Sequence, residues 1–207
     1  MDLNRPLGDK ININTNDSQY YVHAELLRRN PKFFDIYEHR SVMTIDVGSE
    51  VFESFVQWLY NRDLFKHPTG GVQLILGLWF FAAKISCLEL QNYAMDWIQD
   101  YHQDERMEDS DLRYVFETIK NDYEYTALGD FCGAMLRKRN SEYQFTAVHR
   151  FLQAVPGALG PYIFYESLCD DIDELRSDPT RRDKIHLCRF HIHNYNDKIC
   201  GSKPNVQ

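Results

Sequence analysis

The stretch YYVHAELLRRNPKFFDIYEHRSVMTIDVGSEVFESFVQWLY, which spans residues 20–60, decides the fold. Its first three residues favour a β-strand and lead directly into a helical segment at residues 23–27. Asn30 and Pro31 favour the start of a second short helix, because Asn is a good N-cap and Pro suits the first helical position. The opening of the stretch therefore predicts one strand followed by two short helices.

The second part of the stretch alternates and then changes to a helical period. Residues 42–47 alternate between two faces, which is typical of a short, half-buried strand. Gly48 ends that strand, and Ser49 is predicted to cap the next helix. The large apolar residues of this helix recur at intervals of three and four and so share one face. They are Phe52, Phe55, Val56, Leu59 and Tyr60.

The flanking segments extend this pattern. Residues 9–15 alternate polar and apolar side chains, and residues 19–22 form a return strand after a turn of Asn, Asp and Ser. A β-hairpin is therefore predicted ahead of the first helix. Residues 74–85 and 90–101 predict two helices, and the short Ser86-Cys87 connection between them favours an antiparallel pair.

Taken together, these motifs resemble the BTB/POZ domain family, in the divergent form common in fungal proteins. The resemblance is carried by V-H-x-x-L-L, P-x-F-F, a strand and E-V-F-x-x-F-x-x-W-L-Y in that order, and then by LWFFAAKISCLELQNYAMDWI. It covers residues 9–104, about half of the chain. The resemblance implies an α+β fold, in which a small β-sheet is flanked by a helical cluster. It also implies a protein-interaction module rather than an enzyme.

Roles for individual residues follow from the resemblance. Asp9 corresponds to an aspartate that often lies buried at a dimer interface in the family; the alternative is an exposed residue at the start of a strand. His23 is implied to be structural, because the family's histidine packs and hydrogen-bonds near the centre of the fold. Other structural positions are implied within the motifs, at Leu27, Phe34, Trp58 and Tyr60.

The helix that carries Phe52, Glu53 and Phe55 is assigned to partner binding. Many BTB proteins recruit the cullin scaffold of ubiquitin ligases through a hydrophobic–x–Glu signature, which the alignment places at residues 52–54. Ser54 stands where the acidic residue is expected. A shift to residues 51–53 restores the signature but moves its Glu by one helical step. Phe52 is therefore either a partner contact or an ordinary buried helix residue.

A charged segment at residues 102–111 separates the BTB-like region from a second region of helical apolar stripes. Fungal members of the family often carry a segment similar to DLRYVFETIKNDYEYTALGDFCGAML at this place. The second region is predicted to be all-α and to extend the first. The predicted organisation is a flexible N-terminus (1–8), a BTB/POZ domain (9–104), a helical extension (105–170) and a charged loop with a Cys/His-containing tail (171–207).

The tail contains a possible zinc site. Zinc in structural sites takes four nitrogen or sulfur ligands in tetrahedral geometry, and the candidate ligands here are Cys188, His191, His193 and Cys200. The spacing Cys188-x-x-His191 resembles half of a zinc knuckle, but no matching second pair follows. The alternative is a short segment that docks onto the rest of the chain. The sequence therefore predicts either no cofactor or a bound zinc ion.

Composition narrows the remaining function classes. Hydrophobic residues make up 43% and aromatic residues 14%, which indicates a globular chain. A net charge of −8 with only short basic clusters argues against nucleic-acid binding. No apolar run approaches the ~20 residues that cross a bilayer. Five scattered cysteines and the absence of an apolar signal segment predict an intracellular protein.

Motifs for phosphate loops, dinucleotide binding, zinc proteases and serine hydrolases are absent from the sequence, so an enzyme is not expected. The leading hypothesis is an interaction module that self-associates or recruits a partner protein. Two alternatives stay open. One is a substrate adaptor of a cullin-based ubiquitin ligase, and the other is a small zinc-binding regulator.

Overall fold

The computed structural model describes residues 8–36, 42–62, 71–119, 126–141, 145–168, 178–181 and 189–192. Within these ranges the chain is an α+β protein, with one small sheet and a majority of helical residues. It divides into two compact units, Met1–Gln91 and Asn92–Gln207. The division falls inside the helix Leu88–Asp104, whereas the sequence predicts a boundary after that helix.

The sheet of the first unit has three strands in the order β2-β1-β3. β1 (Lys10–Asn14) pairs antiparallel with β2 (Gln19–His23) and parallel with β3 (Val42–Thr44). The predicted hairpin is confirmed, and its turn is closed by the Thr15 N–H, which donates to the Ser18 carbonyl at 2.8 Å. The predicted strand at 42–47 is also present, although only its first three residues join the ladder.

Helices follow the strands in the predicted order. The helices that begin in the first unit are α1 (Ala24–Leu27), α2 (Pro31–Ile36), α3 (Ser49–Asn61), α4 (Gly71–Lys84) and α5 (Leu88–Asp104). Gly48, and not Ser49, occupies the N-cap position of α3. The predicted cap is therefore off by one residue, because the Ser49 hydroxyl instead donates to Asp17 Oδ2 at 2.9 Å.

An aromatic cluster fills the core of the first unit. Phe33 stacks on Phe55 at 5.9 Å between ring centroids, and Phe55 meets Phe81 edge-on at 5.2 Å. Tyr20 meets Phe52 edge-on at 5.0 Å, which joins the inner face of the sheet to α3. Such edge-on and offset pairs add to the stabilisation that comes from burying the rings. The helical period of α3 thus places its apolar face against this cluster.

In the second unit all regular secondary structure among the described residues is helical. After α5 it comprises α6 (Asp109–Ile119), α7 (Thr126–Ser141), α8 (Phe145–Ala154), a short 3₁₀ turn (Pro156–Ala158) and α9 (Leu159–Leu168). α7 is central and packs against α6, α8 and α9. Its Gly133 permits close packing, because a Cβ atom there would lie 2.8 Å from the Pro161 backbone.

No helix within the described ranges is both long and apolar enough to cross a membrane.

Candidate functional site

One face of the sheet in the first unit is open and carries apolar side chains. The register places Asn12 between Tyr21 of β2 and Val42 of β3. Side chains alternate between the two faces of a sheet along each strand, so the residues two positions away lie on the same face. We call this face the open face, and its other members are Lys10, Asn14, Gln19, His23 and Thr44. Tyr21 is 61% exposed and Val42 is 46% exposed. On the opposite face Ile13, Val22 and Met43 are buried.

Asn12 contributes an unsatisfied acceptor to the open face. Its Oδ1 atom is buried, and none of the described residues places a hydrogen-bond partner next to it. An unbonded buried polar atom costs about 1–3 kcal/mol. A donor supplied from outside the sheet would remove this cost.

The open face continues to α3 through His23 and Tyr60. His23 Nδ1 lies 2.5 Å from the Tyr60 hydroxyl, and the same hydroxyl oxygen accepts the His23 backbone N–H at 3.4 Å. The Tyr60 hydroxyl thus contacts both the ring and the backbone of His23. Both residues were expected to be structural, and their contact fixes the end of β2 against α3. Tyr60 nevertheless remains 41% exposed.

Burial corrects part of the predicted partner surface. Phe52 and Phe55 both have 0% exposure and lie in the aromatic core, so they offer no surface to a partner. The reason is that the α3 face with the motif residues is also the face that packs inward. Leu27, Phe34 and Trp58 are buried as well, in line with a structural role.

Glu53 and Asp9 are exposed in the single chain. Burial raises the pKa of Tyr20, and the negative charges of Glu53 and Asp17 raise it further. Asp9 precedes β1, and its carbonyl accepts the Ala24 N–H at 2.9 Å. The proposed burial of Asp9 in a dimer stays a prediction.

The zinc hypothesis also stays a prediction. Cys188, His193 and Cys200 lie outside the described residues, and His191 has its Nε2 at 2.7 Å from Asp96 Oδ1. Among the residues that the structure does describe, no three His, Cys, Asp or Glu side chains are grouped as a metal site would require. Metal analysis of the purified protein and of Cys188→Ala tests the hypothesis.

The two cysteines in the described ranges are buried thiols. Burial raises the pKa of both Cys87 and Cys132. Because the thiolate is the nucleophilic form, both side chains are poorly suited to covalent chemistry.

Comparison of the chain with protein-family models, with curated proteins and with solved structures finds no match.

Three residues of the open face were not singled out from the sequence. Asn12, Tyr21 and Val42 occupy the outward positions of their strands. The available signal was the presence of Tyr and Val at positions where a solvated face would carry polar side chains. The alternation along each strand indicates that these side chains point outward. It does not give the register of the strands, which places the three residues next to one another.

Proposed function

We propose that this chain is a protein–protein interaction module of the BTB/POZ type, which associates with itself or with a partner protein through its first unit. The observation that carries the proposal is the open face. There Tyr21 and Val42 are exposed on either side of Asn12, whose Oδ1 lacks a hydrogen-bond partner among the described residues.

The chemistry of the open face suits a protein partner. Tyr is enriched at protein interfaces because its ring supplies apolar area while its hydroxyl keeps a hydrogen bond. A covering polypeptide would remove Tyr21 and Val42 from water. It could also bring a backbone or side-chain N–H to Asn12 Oδ1. Lys10 and Gln19, which are exposed on the same face, would then belong to a polar rim that selects the partner.

The order of elements supports the BTB/POZ assignment. The motif series from Asp9 to Ile98 was expected to give a hairpin, two short helices, a strand, a helix and a helical pair, and the described elements follow that order. Free thiols at Cys87 and Cys132 are in keeping with an intracellular protein, which is part of the proposal.

Sedimentation equilibrium of the full chain tests the self-association. Tyr21→Ser should weaken the dimer at least about tenfold, because a central aromatic contact is worth ≥ ~1.4 kcal/mol. Tyr114→Ser is the matched control, since Tyr114 is a 40% exposed tyrosine of the second unit. Asp9→Asn should weaken the dimer if Asp9 lies at the interface. A chain that stays monomeric at high concentration would refute self-association.

The cullin-adaptor alternative gains no support from the fold. Its signature needs an accessible hydrophobic residue, and Phe52 is fully buried in α3. A pull-down with the N-terminal region of a cullin addresses the alternative directly. Capture that depends on Glu53 would replace the present proposal.

A further inference from the structure

Four consecutive residues near the C-terminus, Arg189-Phe190-His191-Ile192, are bound by the second unit as a peptide ligand would be. We call them the RFHI segment. Phe190, His191 and Ile192 contact side chains of α5 or α7, and the hydrogen bonds of His191 and Ile192 join residues 95 to 100 positions apart in sequence. The segment forms no regular strand or helix, so these side-chain contacts are what hold it.

Asn92 recognises the backbone of the segment. Its Nδ2 donates to the Ile192 carbonyl at 2.9 Å, and its Oδ1 accepts the Ile192 N–H at 2.8 Å. One side-chain amide thus satisfies both backbone groups of a single residue, as a neighbouring strand would. This contact involves only the main chain of residue 192, so it does not depend on the side chain at that position.

Phe190 supplies the apolar anchor. It is only 1% exposed, and its ring meets Phe131 of α7 edge-on at 5.3 Å between centroids. The Arg189 guanidinium lies 5.6 Å from the centre of the same ring. A buried aromatic side chain in a fitted pocket is the usual dominant contact in peptide and protein recognition.

Acidic side chains flank the anchor on both sides. His191 Nε2 lies 2.7 Å from Asp96 Oδ1, and the His191 side chain is only 6% exposed. Asp96 stands one turn after Asn92 on α5, so both belong to one helical face. On α7 the charge of Arg189 acts on Asp130, next to Phe131. The contacts therefore define an order of preference, an aromatic residue followed by histidine, with a main-chain contact at the next residue.

We propose that Asn92, Asp96 and Phe131 form a peptide-binding site for short segments with this aromatic–histidine order, which the RFHI segment occupies within the same chain. The tethered segment binds at high effective concentration and therefore competes with any peptide from outside. A second copy of this chain, which carries the same segment, supplies the external ligand. This inference does not depend on the proposed function of the first unit.

Fluorescence anisotropy with a labelled peptide of residues 187–194, carrying Cys188→Ser, tests the site on the full chain. Phe190→Ala withdraws the internal anchor, and that variant should bind the peptide at least about tenfold more tightly than the wild type. Asn92→Ala added to Phe190→Ala should reverse the gain about tenfold. Gln103→Ala, an exposed position on α5, is the matched control and should leave binding unchanged.

A second variant, Ile192→Pro, tests the site independently of whether Phe190→Ala folds. Ile192→Pro removes the N–H that Asn92 accepts and keeps the buried ring, so it should also raise peptide affinity. Circular dichroism establishes that each variant is folded. A folded variant that binds the peptide no better than the wild type, or equally well when Phe190 of the peptide is replaced by Ala, overturns the proposal.

A capture experiment tests whether a second copy supplies the ligand. Tagged Phe190→Ala chain should retain more untagged Asn92→Ala chain, which carries an intact RFHI segment, than untagged Asn92→Ala/Phe190→Ala chain, which does not. Any association through the first unit is the same in both mixtures. A difference identifies a second copy as a ligand. Equal capture overturns the assignment of the ligand to a second copy.

Discussion

The two units bury different kinds of side chain. In the described part of Met1–Gln91 the buried polar side chains are uncharged at neutral pH, and the core is a cluster of aromatic rings. In Asn92–Gln207 the buried set includes His102, Asp111 and Arg139. Side-chain hydrogen bonds also hold distant segments there, as when Gln99 Nε2 donates to the Pro179 carbonyl at 3.0 Å. The first unit should therefore respond mainly to changes of volume, and the second also to pH.

The largest effect is expected from a cavity in the first unit. Phe55→Ala removes a fully buried ring that contacts Phe33 and Phe81, and the free energy of unfolding should fall by about 3–5 kcal/mol. Urea denaturation followed by circular dichroism measures the loss. Phe145→Ala, at a 66% exposed ring, is the control and should change stability by less than about 0.5 kcal/mol. Similar losses for both variants would contradict the described core.

A smaller volume effect is expected in the second unit. Gly133→Ala places a methyl group 2.8 Å from the Pro161 backbone, and we expect a loss of roughly 1–3 kcal/mol. Gly129→Ala is the matched control on the same helix. Its methyl group would meet only the terminal Cδ1 of Ile119, at 2.9 Å, and that flexible atom can move. The order of the two thermal midpoints decides whether α7 and α9 pack as closely as described.

Acidification should weaken the second unit through His102. Burial lowers the pKa of His102, and its Nδ1–H donates to the Glu105 carbonyl at 3.0 Å. The unfolded chain therefore binds a proton more readily, so this contribution is complete above about pH 6.5 and is lost as the pH falls through that value. His102→Asn keeps a donor but does not titrate. Between pH 8 and pH 5.5 its urea midpoint should fall less than that of the wild type.

Asp130 should act in the opposite direction. Burial raises the pKa of its carboxyl group to about 6, against the opposing charge of Arg189. The folded chain holds this proton more tightly, so stability is greater in acid and falls as the pH rises from about 4 to about 6. Asp130→Asn should remove that fall, and Arg189→Met should steepen it. Denaturation at pH 4.5 and pH 7 tests both variants, and parallel profiles would contradict the assignment.

Most of the local structure could be predicted, because strands and helices repeat their apolar side chains at intervals that are visible within a few consecutive residues. The hairpin at residues 10–23 follows from alternation, and α3 follows from apolar spacing after Gly48. The same apolar spacing also led to the assignment of Phe52 and Phe55 to partner binding, although both are buried. A helical face identifies which side chains are grouped, but Phe52 and Phe55 show that it does not say whether the group faces a core or a partner.

The contacts that carry function depend on residues far apart in sequence. In the sequence Asn92 looks like an ordinary solvent-exposed polar residue of a helix. Its role follows only from its contact with Ile192, which lies 100 positions later in the chain. His23 and Tyr60 meet across 37 positions, and the register of three strands places Asn12, whose Oδ1 has no hydrogen-bond partner among the described residues, between Tyr21 and Val42. None of these contacts can be recognised from a short stretch of the sequence. The sequence suggested a docking segment as the alternative to zinc, but the residues that receive it could not be predicted.

The parallel pairing of β3 with β1 has a consequence for biosynthesis. A ribosome adds roughly 5–20 residues per second, so β3 emerges about 1–4 s after the hairpin strands, whereas a hairpin closes within about 1–10 μs. For that interval the nascent chain presents an unpaired edge of β1, the strand that becomes central in the finished sheet. Neighbouring nascent chains on one messenger could pair at that edge, which makes co-translational chaperone binding most useful before residue 44 is exposed.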